Sequence, residues 1–307
     1  MSEPQKEPVN KTVKEPMRRT VEIEEKSNLY LFVPLSMWLV PKLAYLKISP
    51  NAVSLTSMAV GIGAGFSYFH FNDYRFALLG FLLMAITHVL DGADGALARL
   101  TNTQSEFGKI IDGVCDYVIF ISVYVALAIA MVATYGAEVW YIVIAAGVSH
   151  AFQAGAYELQ RQEYEFWGHG KNSAELPELQ SLKDLPSDLT FFAKIATAMG
   201  LLYARMQYRF SGLDSGFRPQ LREFLAKNPQ QQAAFAASYR AKFAPIVKRW
   251  GIMCANYRTY AIFLACIAQQ PILYFLFELV VLNLVLIALV KGQKKENQLF
   301  LRQIGAK

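Results

Sequence analysis

Charge is scarce in this chain. Of its 307 residues only 18% are Asp, Glu, Lys or Arg, against roughly 25% in an average soluble domain. Cysteine is scarcer: Cys115, Cys254 and Cys266 make up the full complement of three. Their spacings fit no zinc motif, and three thiols in or beside apolar stretches make no disulfide framework. They read as small packing residues. Residues 1–28 lack an apolar core, so the sequence shows no cleavable signal peptide. No internal repeat is visible. What is abundant is apolar: 54% hydrophobic, 13% aromatic, with a mean hydropathy of +0.25. Those values exclude a disordered chain, a fibre and a disulfide scaffold. The apolar residues also cluster in runs near the ~20 residues that cross ~30 Å of hydrocarbon. The expected fold class is an all-α integral membrane protein.

Six transmembrane helices are expected, at about 52–70, 75–95, 108–133, 139–157, 252–268 and 272–291. Residues 1–28 read as a mobile cytoplasmic tail. Residues 29–48 are apolar and aromatic but interrupted by Pro34 and Pro41, which suits an amphipathic helix lying in the interface. Ser49-Pro50-Asn51 is a helix-start signal. It opens a block, 49–160, that holds spans one to four. Residues 161–250 are polar and too long for a plain loop. They read as a cytoplasmic helical insertion, with helical stretches at 189–208 and 230–250. Spans five and six occupy 251–292, and 293–307 is a basic tail.

Net charge is +6. In a membrane chain that balance reflects orientation and anionic headgroups, not nucleic acid. With residue 1 inside, the outer loops fall at 71–75, 134–138 and 269–271. Of the 30 Lys and Arg residues, only Arg75 lies in them. The positive-inside rule therefore places both termini in the cytoplasm.

Carboxylates at membrane spans are costly and functional by default. Four fall within one short stretch: Asp91 and Asp94 at the inner end of span two, Asp112 and Asp116 at the inner start of span three. Spacings of three and four put each pair on one helix face. The two helices, joined by about a dozen residues, can bring all four to the cytoplasmic edge of the membrane. Four converging anions need compensation. Hard divalent cations with oxygen ligands supply it. Four carboxylates suit two ions about 4 Å apart, the geometry of phosphoryl transfer. A second role is open to Asp116, that of general base. Gly92, Gly95, Ala98, Gly108 and Gly113 lie around them. Such residues let either a ligand or a neighbouring helix approach the backbone. Arg99 closes the run with a guanidinium suited to phosphate oxygens.

The stretch Asp91-Gly-Ala-Asp94-Gly95-Ala-Leu-Ala98-Arg99, then Gly108, Asp112 and Asp116 at intervals of eight, three and three residues, resembles the CDP-alcohol phosphotransferase signature. All eight defining positions match. The six-span layout extends the resemblance to about 45–160 and 252–291, whereas 160–250 departs from compact members. The resemblance implies an enzyme in which an acceptor hydroxyl attacks a CDP-linked donor and CMP is released. It implies two divalent ions, Mg²⁺ or Mn²⁺, held by Asp91, Asp94, Asp112 and Asp116. Asp116 becomes the candidate base, with Gly95, Ala98, Arg99 and Gly108 against the CDP group. It also implies a homodimer, a donor and an acceptor of which one is a lipid, and, from its bacterial relatives, an inner-membrane location with a cytoplasmic site.

Two donor branches exist. The wording from Ala98 to Gly108 looks more like the bacterial branch, with a CDP-diacylglycerol donor and a small polar alcohol or alcohol phosphate as acceptor. In the other branch CDP-choline or CDP-ethanolamine meets diacylglycerol or a ceramide-like alcohol. Arg258, inside span five, is the candidate acceptor contact, and Lys248 and Glu158 are further candidates. Arg258 reads equally as a snorkelling or paired cation, and His150 as a core histidine. Glu278 in span six finds no partner in the sequence. A cation transporter and a non-catalytic scaffold are the rival classes. Aspartates gathered at one face, and the lack of related halves, argue against a transporter; the intact set of four argues against a scaffold.

Overall fold

The computed structural model describes residues 20–171, 174, 205–214 and 216–305. Among them every regular element is helical. The chain divides into two compact units, Met1–Val143 with Asn256–Tyr274 and Ile144–Ala255 with Phe275–Lys307.

In the first unit, α1 (Val33–Tyr45), α2 (Pro50–Phe69), α3 (Tyr74–Thr101) and α4 (Glu106–Tyr135) follow one another. Ser49 caps α2, its hydroxyl accepting from the Ala52 amide, and Pro50 occupies the first turn, where its missing N–H costs nothing. Asp73 caps α3 and Ser105 caps α4. Asn102 adopts a left-handed conformation (φ 53°) and ends α3. The α3–α4 link is therefore only 102–105, shorter than the dozen residues expected, because both helices run on into it.

Helix α2 packs along both α3 and α4. Its glycines decide how closely. A methyl at Gly61 would collide with Ile119 of α4, and one at Gly65 would lie 2.9 Å from the Ser122 carbonyl. The Ser122 hydroxyl lies 3.2 Å from the Gly61 carbonyl across that contact and 2.7 Å from the Ile119 carbonyl of its own helix. On the α3 side, Ser57 donates to the Thr87 carbonyl and the Tyr68 ring lies against Gly80. Helix α1 closes on α3 through Ser36, whose hydroxyl lies within hydrogen-bonding reach of the Val89 and Phe32 carbonyls. A Cβ at Gly92 would stand 2.7 Å from that hydroxyl, so Gly92 is a packing glycine. Val40, Val53, Ala93, Ala96 and Leu97 form the core these helices share.

Residues 1–19 of the expected mobile tail lie outside the described residues. Residues 20–28 do not float: Ile23, Glu24 and Glu25 are buried. Glu25 accepts from the Ser27 and Asn28 amides and caps the helix that leads into α1. That helix ends at Tyr45, three residues before the expected 48.

In the second unit α5 (Val139–His169) begins in the first unit's chain and continues well past the expected residue 157. The start of the insertion is thus the same helix prolonged. Residues 205–211 are helical, followed by α6 (Phe217–Lys227) and α7 (Gln232–Trp250). Most of the expected helix 189–208 lies outside the described residues; that at 230–250 is α7. Arg218 makes a buried ion pair with Glu163 at 2.7 Å, and the Trp167 indole donates to the same carboxylate. Phe235, Tyr239, Phe243 and Phe300 stack into one aromatic cluster.

Two helices follow: α8 (Ala255–Ile267), and a continuous helix α9 from Ile272 to Gln303 with a π turn at Phe277–Leu282. Helix α9 absorbs most of the expected basic tail, up to Gln303: Gln293, Asn297, Phe300 and Leu301 are buried along it. Residues 306 and 307 lie outside the described residues.

Five described helices are long and apolar enough to cross a membrane: α2, α3, α4, α5 and α9. The expected span at 252–268 is the exception to the count of six. Residues 251–253 form a 3₁₀ turn and Cys254 is extended, which leaves α8 with 13 residues, about 20 Å at ~1.5 Å per residue.

The predicted outer loops meet. Gln269 donates to the Phe71 carbonyl at 3.0 Å, and Tyr135 donates to Gln270 at 2.9 Å. Loops 71–75, 134–138 and 269–271 therefore share one end of the first unit.

Candidate active site

The four motif aspartates arise from helix register. Asp91 and Asp94 ride the C-terminal half of α3, and Asp112 and Asp116 the N-terminal half of α4. Both helices pack on α2 and are turned back by the short 102–105 link. Asp91, Asp112 and Asp116 each offer a carboxylate oxygen, and these atoms all lie within 4.8 Å of one another. Asp91 and Asp112 are half-buried and Asp116 is exposed. Three carboxylates this close repel, and a hard divalent cation is the partner whose charge and oxygen preference answer them. The donor set fits such an ion.

Asp94 is not one of those three. It is 4% exposed and its Oδ2 accepts from the Ser54 hydroxyl of α2 at 2.5 Å. It faces α2 because it sits one turn beyond Asp91 on the side where α2 packs.

Arg99 folds back over Gly95: a Cβ on Gly95 would lie 3.4 Å from the guanidinium. Ala98 is half-buried beside them. Gly108 sits where two helix starts converge, its absent Cβ leaving room for the Ser105 hydroxyl and the Asn51 side chain. A Cβ on Gly113, next to Asp112, would meet nothing within 4 Å. That leaves open space beside the triad. The sequence treats Gly92 and Gly113 alike, yet the first packs a helix and the second borders space.

This motif lies inside a longer match. The profile of the CDP-alcohol phosphatidyltransferase family matches residues 47–206, just over half of the chain. The chain belongs to that family. A CDP-diacylglycerol–serine O-phosphatidyltransferase of Helicobacter pylori is 39% identical over 75 residues, 24% of this chain and 30% of the relative. An archaetidylinositol phosphate synthase of Pyrococcus horikoshii is 32% identical over 74 residues, 24% of this chain and 37% of the relative. The chain thus spans about a third of the length of the curated relatives it matches. An uncharacterized Aquifex aeolicus protein is 37% identical over 70 residues.

Among the other expected contacts of this CDP-alcohol phosphatidyltransferase family member, Arg258 belongs to the same unit as the aspartates and is 1% exposed on α8. Lys248 and Glu158 belong to the other unit. Lys248 is exposed; Glu158 is half-buried and engaged by Arg161 at 2.8 Å and by Gln162. His150 is half-buried on α5.

Four residues near the aspartates carry no signal in the motif. His88, one turn before Asp91, shares a 2.8 Å hydrogen bond with Thr259 of α8, and its ring packs edge-on against Phe32. Asn256, one turn before Thr259, donates to Glu25 at 2.5 Å. The turn that holds Arg258 is thereby fixed from both sides. A histidine inside an apolar run at one turn from a motif aspartate was the one available clue.

Proposed function

We propose that the protein is a membrane transferase that moves a substituted phosphate from a CDP-linked donor to an alcohol hydroxyl, releasing CMP. One observation carries the reading: within the family-matched segment, Asp91, Asp112 and Asp116 converge to 4.8 Å at the ends of two apolar helices. A cluster at the end of membrane-spanning helices suits a reaction with one lipid and one water-soluble partner.

Asp91, Asp112 and Asp116, with Asp94 as the fourth motif carboxylate, would hold two divalent ions, Mg²⁺ or Mn²⁺. When bound, such ions neutralise the diphosphate and the departing CMP. The remaining steps belong to the chain. Arg99, lying over Gly95, holds phosphate oxygens of the donor, and Ala98 and Gly108 leave room for the CDP group. The acceptor oxygen attacks the phosphorus that bears the donor's substituent. Its proton passes to the Asp116 carboxylate, and the bond to CMP breaks with the electron pair leaving on the CMP phosphate. Asp116 suits the base role because it is the most exposed of the triad and borders the space beside Gly113.

The donor is CDP-diacylglycerol and the acceptor a small polar alcohol or alcohol phosphate. The name of the Helicobacter relative supports that branch. Arg258, Lys248 and Glu158 remain the candidate acceptor contacts. The site faces the cytoplasm of a bacterial inner membrane, and the protein works as a homodimer, both on the family resemblance.

The test is CMP release by purified protein in mixed micelles with Mg²⁺ or Mn²⁺. One arm offers CDP-diacylglycerol with a panel of polar alcohols. The other offers CDP-choline or CDP-ethanolamine with diacylglycerol and ceramide. Metal-dependent turnover in the first arm, abolished by Asp116→Asn in a protein that still folds, is expected. Turnover confined to the second arm overturns the donor assignment. Silence in both arms from a folded, metal-loaded protein overturns the activity.

A further inference from the structure

One stripe of α9 changes character along its length. Val280, Leu284 and Ile287 are 55%, 62% and 51% exposed. Spacings of four and three keep them on one face. The same spacings carry that face to Lys291, Lys294 and Lys295, all exposed. The opposite face holds the buried Gln293, Asn297, Phe300 and Leu301. From Leu284 to Lys291 is about 10 Å of helix at ~1.5 Å per residue. An exposed apolar surface therefore turns cationic within about 10 Å of helix.

A second basic end lies beside it. The Trp250 indole donates to Gln293 at 3.2 Å, which sets the end of α7, with exposed Lys248 and Arg249, against the same turn of α9. Among the described residues none of these five cations forms an ion pair. The neighbouring Lys242 does, with Glu296.

We propose that this stripe binds the headgroups of anionic phospholipids from the surrounding bilayer. The occupant follows from the arrangement. A single lipid can lay its tails along Val280, Leu284 and Ile287 while its phosphate meets Lys291, Lys294 and Lys295. Free phosphate lacks the tails, and an acidic protein would have to reach the apolar half through the membrane. Cations at that depth attract anionic lipids and lose the attraction in salt. The inference needs no turnover and stands or falls apart from the transferase reading.

The experiment measures the melting temperature of the full chain in a neutral detergent as lipid is added. Phosphatidylglycerol should raise it, and phosphatidylcholine or inorganic phosphate should not. The triple variant K291Q/K294Q/K295Q should keep less than half of the rise, 0.5 M NaCl should suppress it in the parent, and Lys→Arg at the same positions should preserve it. Native mass spectrometry should show about fivefold fewer phosphatidylglycerol molecules retained by the triple variant. If that variant fails to run as a single species, K294Q/K295Q is read instead. An undiminished rise in the glutamine variants, or an equal rise with phosphatidylcholine or phosphate, overturns the proposal.

Discussion

A serine hydroxyl of α2 meets the buried carboxylate of Asp94 at 2.5 Å, and no spacing rule connects positions forty apart in the chain. If Asp94 takes its place among the metal ligands, Ser54 orients it. Hydrogen bonds behind a ligand typically set metal affinity by 10–100-fold. Ser54→Ala should therefore raise the Mn²⁺ concentration that half-saturates CMP release by about tenfold. A melting temperature that falls while the metal dependence stays fixed would make Ser54 a packing residue only. The His88–Thr259 bond asks a different question, whether α8 is held in place by that contact. Residues in direct contact couple by roughly 0.5–3 kcal/mol. In a double-mutant cycle of His88→Phe and Thr259→Val, the combined loss of thermal stability should be smaller than the sum of the single losses. Simple additivity would assign the 2.8 Å contact no energetic role.

Elements show where sequence patterning carried the fold and where it did not. Apolar runs near twenty residues mark α2, α3, α4, α5 and α9, because each must meet lipid along its length. Where helices outrun the membrane the same signal fades. The last dozen residues of α5 and α9 are polar on average and their burial comes from partners such as Arg218, Trp250 and Phe243, distant in the chain. The aspartate spacing was legible because register alone places residues three or four apart on one face; that Asp94 turns to α2 depends on packing and was not. The α2–α4 contact is the sharpest packing constraint. In a membrane, helices associate by close approach of small residues, and Gly61 and Gly65 supply one. A Cβ on Gly65 would meet the backbone of Ser122 at 2.9 Å, and backbone cannot rotate away. Gly65→Leu should cost about 1–3 kcal/mol or more by overpacking and lower the melting temperature by several degrees. Gly113→Ala, which meets nothing, should leave it unchanged. Equal effects of the two would show that helix propensity, not contact, governs both.

At the scale of the whole molecule the open question is parity. Five crossings put the two ends of the chain on opposite sides of the membrane, six on the same side, and α8 with its 13 residues decides. Its contacts within the first unit favour a crossing. The start of α8 is fixed at the aspartate end, through Asn256 to Glu25 and Thr259 to His88. Its middle stacks on α3, Phe263 on Phe81 at 4.5 Å. The turn after it is fixed at the far end, through Gln269 to Phe71 and Gln270 to Tyr135. Over that distance α3 runs from His88 back to Tyr74, and α8, with the turn that follows it, touches that stretch near both ends and at its middle. A short span is tolerated by local thinning of the bilayer at a modest cost. The distribution of charge agrees: Arg75 is the sole Lys or Arg in loops 71–75, 134–138 and 269–271. The expected outcome is six crossings, with residue 21 and residue 292 on one side and residue 268 on the other. Single cysteines at Val21, Ala268 and Gly292, placed in a chain freed of its own three, can be read with a membrane-impermeant maleimide on intact and opened cells. Val21→Cys and Gly292→Cys should label only after opening, and Ala268→Cys before it. Labels at 21 and 292 that appear from opposite sides would leave α8 as a helix that dips into the membrane and does not cross.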